Sequence, residues 1–372
     1  MNSRKRTYYF LLICFAGSIL LVGALYFMSN DSRKNGFTRV FPTEPDSLVP
    51  EEVLDIRHPG YYFSGKTDHH IFLGHLQAPA HILMTNPALT DTSHINLEID
   101  ILPEDAYDWK ALQVAVDSPQ VYLADGSNGL FLKTFLQDSP VERYSPDSTM
   151  LFSGYIPLSP SSLVMKSYNP KYAQNILEKR STTTKAEKKY ILKKQVDGIF
   201  CTDGMLLYSR KHSYLFYIYY YRNQLLCLDT LLNEVYTKTT IDTVSHANIN
   251  LSVLEDSTQL TLGKPPLRVN KKSHTDGDFL YVNSALRADN ESRRIFGDHS
   301  VIDLYTVTKG DYLFSFYVPE YRGKKMRDFL VSDTVLFALY DHHIITYSLS
   351  FLQHSAPGKP NIPKDSQVFR AK

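Results

Sequence analysis

The feature that most constrains the fold is a succession of short apolar runs, each closed by turn chemistry, that continues from about residue 61 to 349. Tyr61–Ser64, Ile71–His75 and His81–Thr85 come first, broken by Gly65-Lys66-Thr67-Asp68 and by Gln77-Ala78-Pro79. Gln120–Ala124 and Leu130–Leu136 flank the turn Asp125-Gly126-Ser127-Asn128-Gly129, and Val335–Tyr340 and His343–Leu349 end the series. Runs of this length favour pleated strands when they are rich in aromatic and β-branched side chains. With 26 Tyr and 20 Phe, the chain has that richness. The expected class is all-β.

Weak self-similarity narrows the architecture. Asp68-His69-His70-Ile71 near the start echoes Asp341-His342-His343-Ile344 near the end, and Asp278-Phe279-Leu280 echoes Asp328-Phe329-Leu330. A unit of strand, Asp/Gly/Asn turn, strand and longer link recurs near 61, 120, 150, 198, 278 and 328. Such units are roughly 40–50 residues long, the span of a four-stranded propeller blade. The expectation is a six- or seven-bladed β-propeller over residues 59–352, with a pair of β-sandwiches as the alternative. The sandwiches would leave the likeness of first and last units unexplained.

The amino end has a different character. Arg4, Lys5 and Arg6 precede an uncharged run from Tyr8 to Met28. As a helix of about 1.5 Å rise per residue, that run is long enough to cross a bilayer core. The division expected is a cytoplasmic head (1–7), an anchor helix (8–28), a proline-bearing stalk (29–58), the β domain, and a tail (353–372). Basic residues tend to stay in the cytoplasm, so the domain is expected outside it, on the periplasmic side of an inner membrane. A cleavable signal is the rival. Ala24-Leu25-Tyr26 fits it poorly, because a bulky aromatic fills the last position.

Forty basic against thirty-nine acidic residues give a net charge of +1, which offers no bulk electrostatic reason to bind nucleic acid. Residues 169–195 break the strand pattern. Asn169-Pro170 resembles a helix start, and Lys171–Gln195 holds eight Lys/Arg against Glu178 and Glu187, so a helical or unstructured basic insertion is expected there. Three cysteines cannot build a disulfide framework, and Cys14 lies in the anchor. Cys201 and Cys227 are read as buried thiols, with a single bridge between them open in an oxidising compartment.

Motifs for chemistry are few. Gly-x-Ser-x-Gly, Walker and His-Glu-x-x-His patterns are absent from the sequence. Asp276-Gly277-Asp278 matches the metal-holding Asp-x-Asp of membrane-anchored glycosyltransferases, but Asp-Gly between strands is first of all a hairpin turn. His69-His70 and His342-His343 are adjacent pairs; in a strand their rings face opposite sides, so neither pair by itself holds one ion. An approach of His69 to His342 across neighbouring first and last units is conceivable. No metal, cofactor or catalytic residue is assigned. The densest polar region beside apolar strands is 197–246, where Asp203, Arg222, Asn223, Asp242 and His246 are the candidate ligand contacts at one rim. Tyr214–Tyr221, with five tyrosines in eight positions, reads as a packed strand.

Val196–Gly204, Tyr221–Gln224, Ile241–His246, Val269-Asn270, Ala288-Asp289-Asn290-Glu291 and Ser315–Pro319 resemble an uncharacterised family of single-span proteins from Bacteroidetes bacteria. That resemblance implies a bacterial inner-membrane protein with a periplasmic β domain, and it carries over no activity. A broader likeness to TolB-type propellers is one of architecture. Two functions stay open: a tethered interaction or ligand-binding module with a protein or carbohydrate partner, and a funnel-site enzyme of unknown class acting on glycans. An enzyme is expected to show a His–carboxylate pair or convergent carboxylates at the funnel; a binding module is not.

Overall fold

The computed structural model describes residues 3–29, 34–99, 107–137, 141–144, 151–181, 186–253 and 260–354. One helix (α1, Ser3–Ser29) precedes six four-stranded antiparallel sheets that follow one another round an axis as a β-propeller. Blade 1 comprises Tyr61–Lys66, Ile71–His75, Ala78–Thr85 and Thr92–Asn96; blade 2 comprises Gln113–Asp117, Gln120–Asp125, Leu130–Phe135 and Glu142–Tyr144. Blade 3 is Phe152–Ser159, Ser162–Asn169, Gln174–Ser181 and Ala186–Ile191, and blade 4 is Gly204–Ser209, Tyr214–Tyr219, Gln224–Asp229 and Glu234–Thr239. Blade 5 is Asn270–Asp276, Phe279–Ser284, His299–Thr306 and Tyr312–Pro319. Asp328–Ser332, Val335–Leu339 and His343–Ser348 make three strands of blade 6, and its fourth is the early segment Pro50–Asp55. The blade number is therefore six.

Burial along each blade explains the sequence pattern. The second and third strands are covered on both faces by neighbouring blades, so Ile71–His75 is buried throughout and reads as an unbroken apolar run. The outermost strands, such as Glu234–Thr239, are largely exposed and polar. The core lies between blades rather than within them. Tyr281, Ile302 and Phe316 of blade 5 meet Phe329, Leu336 and Tyr347 of blade 6 in one cluster. Ile71, Leu73 and Leu83 of blade 1 meet Leu330, Phe337 and Ile344 of blade 6 in another. No blade buries its apolar faces alone, so the ring must close to be stable.

Closure depends on the segment read as a stalk. Residues 34–49 lie across blade 5, and Pro50–Asp55 then pairs antiparallel with His343–Ser348, placing Val53 opposite Ile345 and Asp55 opposite His343. Phe37, Leu48 and Ile56 are buried, and the Phe41 ring stacks on Tyr317 at 4.5 Å. Arg39 is enclosed between the carboxylates of Glu291 and Asp303. The stalk expectation is corrected accordingly for 34–58. Its prolines and its isolated apolar residues carry no period, and Pro50 occupies the first position of an edge strand, where the ladder tolerates it.

The basic insertion is corrected as well. Gln174–Ser181 and Ala186–Ile191 are the two outer strands of blade 3, and Asn169 to Ala173 is the turn leading into them. Its charges are accommodated locally: Glu178 is paired with Arg180 at 2.9 Å and with Lys189 at 2.8 Å. Ile176 and Leu177 are fully buried, and these two side chains fix the strand. Gly198–Thr202, where the unit near 198 was expected to begin, is a turn held by the Asp197 carboxylate, which accepts from the amides of Ile199, Phe200 and Cys201. Cys201 and Cys227 are both free and buried in separate clusters, so the bridge is not formed. Asp276-Gly277-Asp278 is the expected hairpin turn, with Gly277 at φ +56°. Gly126 answers a different need: a Cβ there would stand 1.8 Å from the Phe152 carbonyl where blade 2 meets blade 3.

The apolar part of α1, Arg6–Ala24, is long and apolar enough to cross a membrane, and none of it is buried against the rest of the chain. Most of the tail beyond Leu352 lies outside the described residues.

Candidate functional site

In an antiparallel blade of four strands, the first-to-second turn lies on one face of the disc and the second-to-third turn on the other. Here the lower face is that on which each inner strand ends. All six inner strands line one central channel of about 370 Å³. Its wall carries Phe63, Tyr155, Tyr208 and Phe329 as aromatic surface, and Ser64, Ser273, His274 and Asp328 as polar groups. These eight residues come from the inner strands of five blades, 1, 3, 4, 5 and 6.

Ion pairs cross the lower mouth. Lys66 of blade 1 binds Asp276 of blade 5 and donates to the Val331 carbonyl of blade 6 at 2.8 Å. Arg210 of blade 4 reaches Asp117 of blade 2, past blade 3. Asp278 of blade 5 is held by Lys211 at 2.7 Å and His212 at 2.8 Å, both from blade 4, and its carboxyl lies below the ordinary range because of those partners. Asp276 also accepts the Asp333 amide at 2.9 Å. The two carboxylates of the Asp-x-Asp thus face different cations and do not converge on a shared ion.

His274 Nε2 lies 3.1 Å from the Val331 carbonyl, to which a neutral ring donates. Burial, aided by the Lys66 charge, pulls its pKa from 6.5 down to about 3. Burial pushes the Asp328 carboxyl up, opposed by Lys272, whose ammonium lies 3.4 Å away. The hydroxyls of Ser64 and Ser273 are buried with no hydrogen-bond partner among the protein groups, as is that of Tyr122 behind the wall. Burial raises the Tyr122 hydroxyl to about 12, so it is a neutral donor at ordinary pH. Unsatisfied buried hydroxyls cost about 1–3 kcal/mol each.

His274 gives a pH signature. Its folded pKa lies below the unfolded value, so between about 3 and 6.5 the unfolded chain takes up a proton that the folded one refuses. The stability it contributes is full above 6.5 and is lost as pH falls through that window. His274→Gln is expected to lose less stability than the wild type between pH 7 and pH 4.5, measured by urea unfolding. Parallel losses in the two proteins would show that His274 is not held neutral.

The five rim residues expected from sequence do not line this channel. Arg222 is buried over the Tyr219 ring at 3.6 Å and donates to the carbonyls of Cys201 and Lys193. Asn223 donates to the Asp242 carbonyl at 2.6 Å, and the Asp242 carboxylate accepts from Thr240 and from the Val244 amide. Burial pushes the Asp242 carboxyl up. Asp203 pairs with Lys166 at 2.6 Å, tying blade 4 to blade 3. His246 alone of the five is fully exposed, beside the Ser245 hydroxyl. Four of the five therefore stitch loops on the upper face. Sequence reasoning missed Ser64, Ser273, His274 and Asp328; the usable signal was that each opens or occupies the first strand after a long link.

No family profile and no curated protein matches the sequence. Among solved structures, the fold is similar to a member of the DUF4221 family from Bacteroides vulgatus, with a TM-score of 0.52 and 12% identity over 81% of this chain and 97% of that one. It is also similar to virginiamycin B lyase from Staphylococcus aureus, with a TM-score of 0.45 and 9% identity over 80% of this chain and 98% of that one. The likeness is one of fold. At such identities no residue role passes between the chains, and the site rests on its own geometry.

Proposed function

We propose that this protein is a membrane-tethered, extracytoplasmic propeller that binds a small uncharged, hydroxyl-bearing ligand, such as a mono- or disaccharide, in its central channel. The observation that carries the reading is the pairing of aromatic wall with uncharged polar residues: Phe63, Tyr155 and Tyr208 beside Ser64, Ser273 and the neutral His274. Aromatic faces receive the apolar side of a sugar ring, and the neutral His274, with the serine hydroxyls once rotated toward the axis, offers hydrogen bonds without charge. A volume of about 370 Å³ suits a ligand of that size. The tether is α1, and the basic Arg4, Lys5 and Arg6 ahead of it support a cytoplasmic head.

A hydrolytic reading is less well supported. His274 and Asp328 share the channel but form no hydrogen bond with each other, and a histidine of pKa about 3 is a poor general base at neutral pH. The test uses the full chain in detergent micelles and a panel of neutral mono- and disaccharides, read by isothermal titration calorimetry. Ser273→Trp, which fills the channel, is expected to abolish binding while leaving the circular dichroism spectrum unchanged. Binding that survives Ser273→Trp, or the absence of binding across the panel, overturns the channel as the site. A reporter fused after Lys372 that is active only in the cytoplasm overturns the orientation.

A further inference from the structure

The two ends of the chain that close the ring carry a second concentration of chemistry. Asp55 ends the closing strand and stands opposite His343, the first residue of the third strand of blade 6. His342 occupies the bend just before it, and its carbonyl accepts the Ile56 amide at 3.0 Å. That bend brings the two imidazoles together, with ring centroids 4.2 Å apart. One ligand atom each from Asp55, His342 and His343 lies within 4.8 Å of the others. The sequence expectation that neither adjacent pair by itself serves one ion assumed a regular strand through both residues; at 342–343 only the second is in one. His69, by contrast, is in a lower-face turn and His342 in an upper-face one, so those two do not meet.

The geometry points to a binding site for a divalent transition-metal ion of the zinc or nickel kind, held by Asp55, His342 and His343. Two imidazoles and one carboxylate suit such borderline ions, whereas calcium and magnesium favour all-oxygen sites. Ligand atoms on a tetrahedral zinc stand about 3.4 Å apart, so small side-chain rotations of the exposed Asp55 and half-buried His342 bring the set into range. Asp341 Oδ2 lies 3.5 Å from His342 Nδ1 and can orient that ring, leaving its Nε2 for the ion. Arg322 faces the site, with Nη1 3.3 Å from His343 Nε2 and its guanidinium over the Tyr321 ring at 5.3 Å; it is exposed, forms no salt bridge among the described residues, and can swing out to solvent. Because Asp55 belongs to the amino-terminal strand and both histidines to the last blade, the ion fastens the ring shut.

The site is independent of the channel, and so is its test. Full-length protein in detergent, stripped with a chelator, is titrated with zinc chloride while binding heat and the thermal unfolding midpoint are followed. The wild type is expected to bind about one zinc ion and to unfold several degrees higher with it. His342→Ala and Asp55→Asn are expected to weaken zinc at least about tenfold. His94→Ala, which breaks the separate His81–His94 contact at 3.2 Å on blade 1, is expected to change nothing. Arg322→Ala keeps all three ligands, is placed to fold normally, and is expected to bind more tightly by removing a cation. The proposal is overturned by no zinc-dependent shift, by a shift that persists in His342→Ala, by one lost only in His94→Ala, or by unchanged affinity in Arg322→Ala.

Discussion

Replacing Arg39 with alanine is expected to cost the propeller about 3–5 kcal/mol, the loss typical of breaking a buried ion pair from one side. The Arg39, Glu291 and Asp303 side chains are essentially inaccessible to water. Arg39 grips Asp303 with two nitrogens, meets Glu291 with a third, and donates to the Leu286 carbonyl at 3.0 Å. The carboxylates keep other donors, Tyr317 and the Ala288 amide on Glu291 and Ser315 on Asp303. Without the guanidinium, two negative charges remain enclosed with nothing to balance them. Arg39→Lys keeps the charge but not the two-pronged grip, and is expected to fall between the two. Urea unfolding at pH 7 is the measurement. A loss under about 1 kcal/mol at pH 7 would mean that the strap formed by residues 34–49 does not anchor through this residue.

Truncation should produce the other large effect. A chain beginning at Lys34 lacks the apolar helix but retains the strap and closing strand, and is expected to fold as a soluble propeller. A chain beginning at Ile56 lacks both, and is expected to aggregate or remain unfolded. Each buried apolar side chain it forfeits, Phe37 and Leu48 among them, contributes about 1.5–3 kcal/mol. It also loses Arg39 and the whole ladder with His343–Ser348, leaving that strand as a bare, apolar edge. Summed, these losses reach the 5–15 kcal/mol that domains typically have in total. Size-exclusion chromatography and far-ultraviolet circular dichroism of the two chains distinguish the outcomes. A folded, monomeric chain from Ile56 would show that three strands suffice for blade 6. Failure of the chain from Lys34 alone would show that α1 does more than tether.

The short reach between α1 and the docked strap also bears on function. Residues 30–33 separate Ser29 from Lys34, and Asn35 is already bound to Asp289 and to the Arg287 carbonyl. At no more than about 3.6 Å per residue, the upper face of blade 5 stays within roughly 20 Å of the helix end. With α1 as the proposed tether, the propeller would be a fixture at a surface rather than a domain on a long lead.

Several elements were legible because burial on two sides writes itself into a strand. Ile71–His75, Tyr214–Tyr219 and Val335–Leu339 are central strands, and their continuous apolar character announced them. The outer strands of blade 3 were hidden for the opposite reason: Lys188 and Lys189 line the sheet edge in contact with water, where charge is cheap and period is weak, and Arg180 on the strand before is a buried charge paired with Glu178. The strap was hidden by its prolines. Arg222 drew attention as a rim donor, yet a guanidinium has five donors to satisfy, and the nearest carbonyls on the upper face claimed them.

By itself, the order of residues settled what local physics controls: one apolar helix, a long series of short strands, hairpin turns such as Asp276-Gly277-Asp278, and a repeat that implies a ring. Only the tertiary structure decided which strand faces the axis, which segment closes the circle, and which polar groups are left without partners. Those depend on contacts between residues far apart in the chain, such as Lys66 with Asp276 or Asp55 with His343, and a single sequence bears no local mark of them.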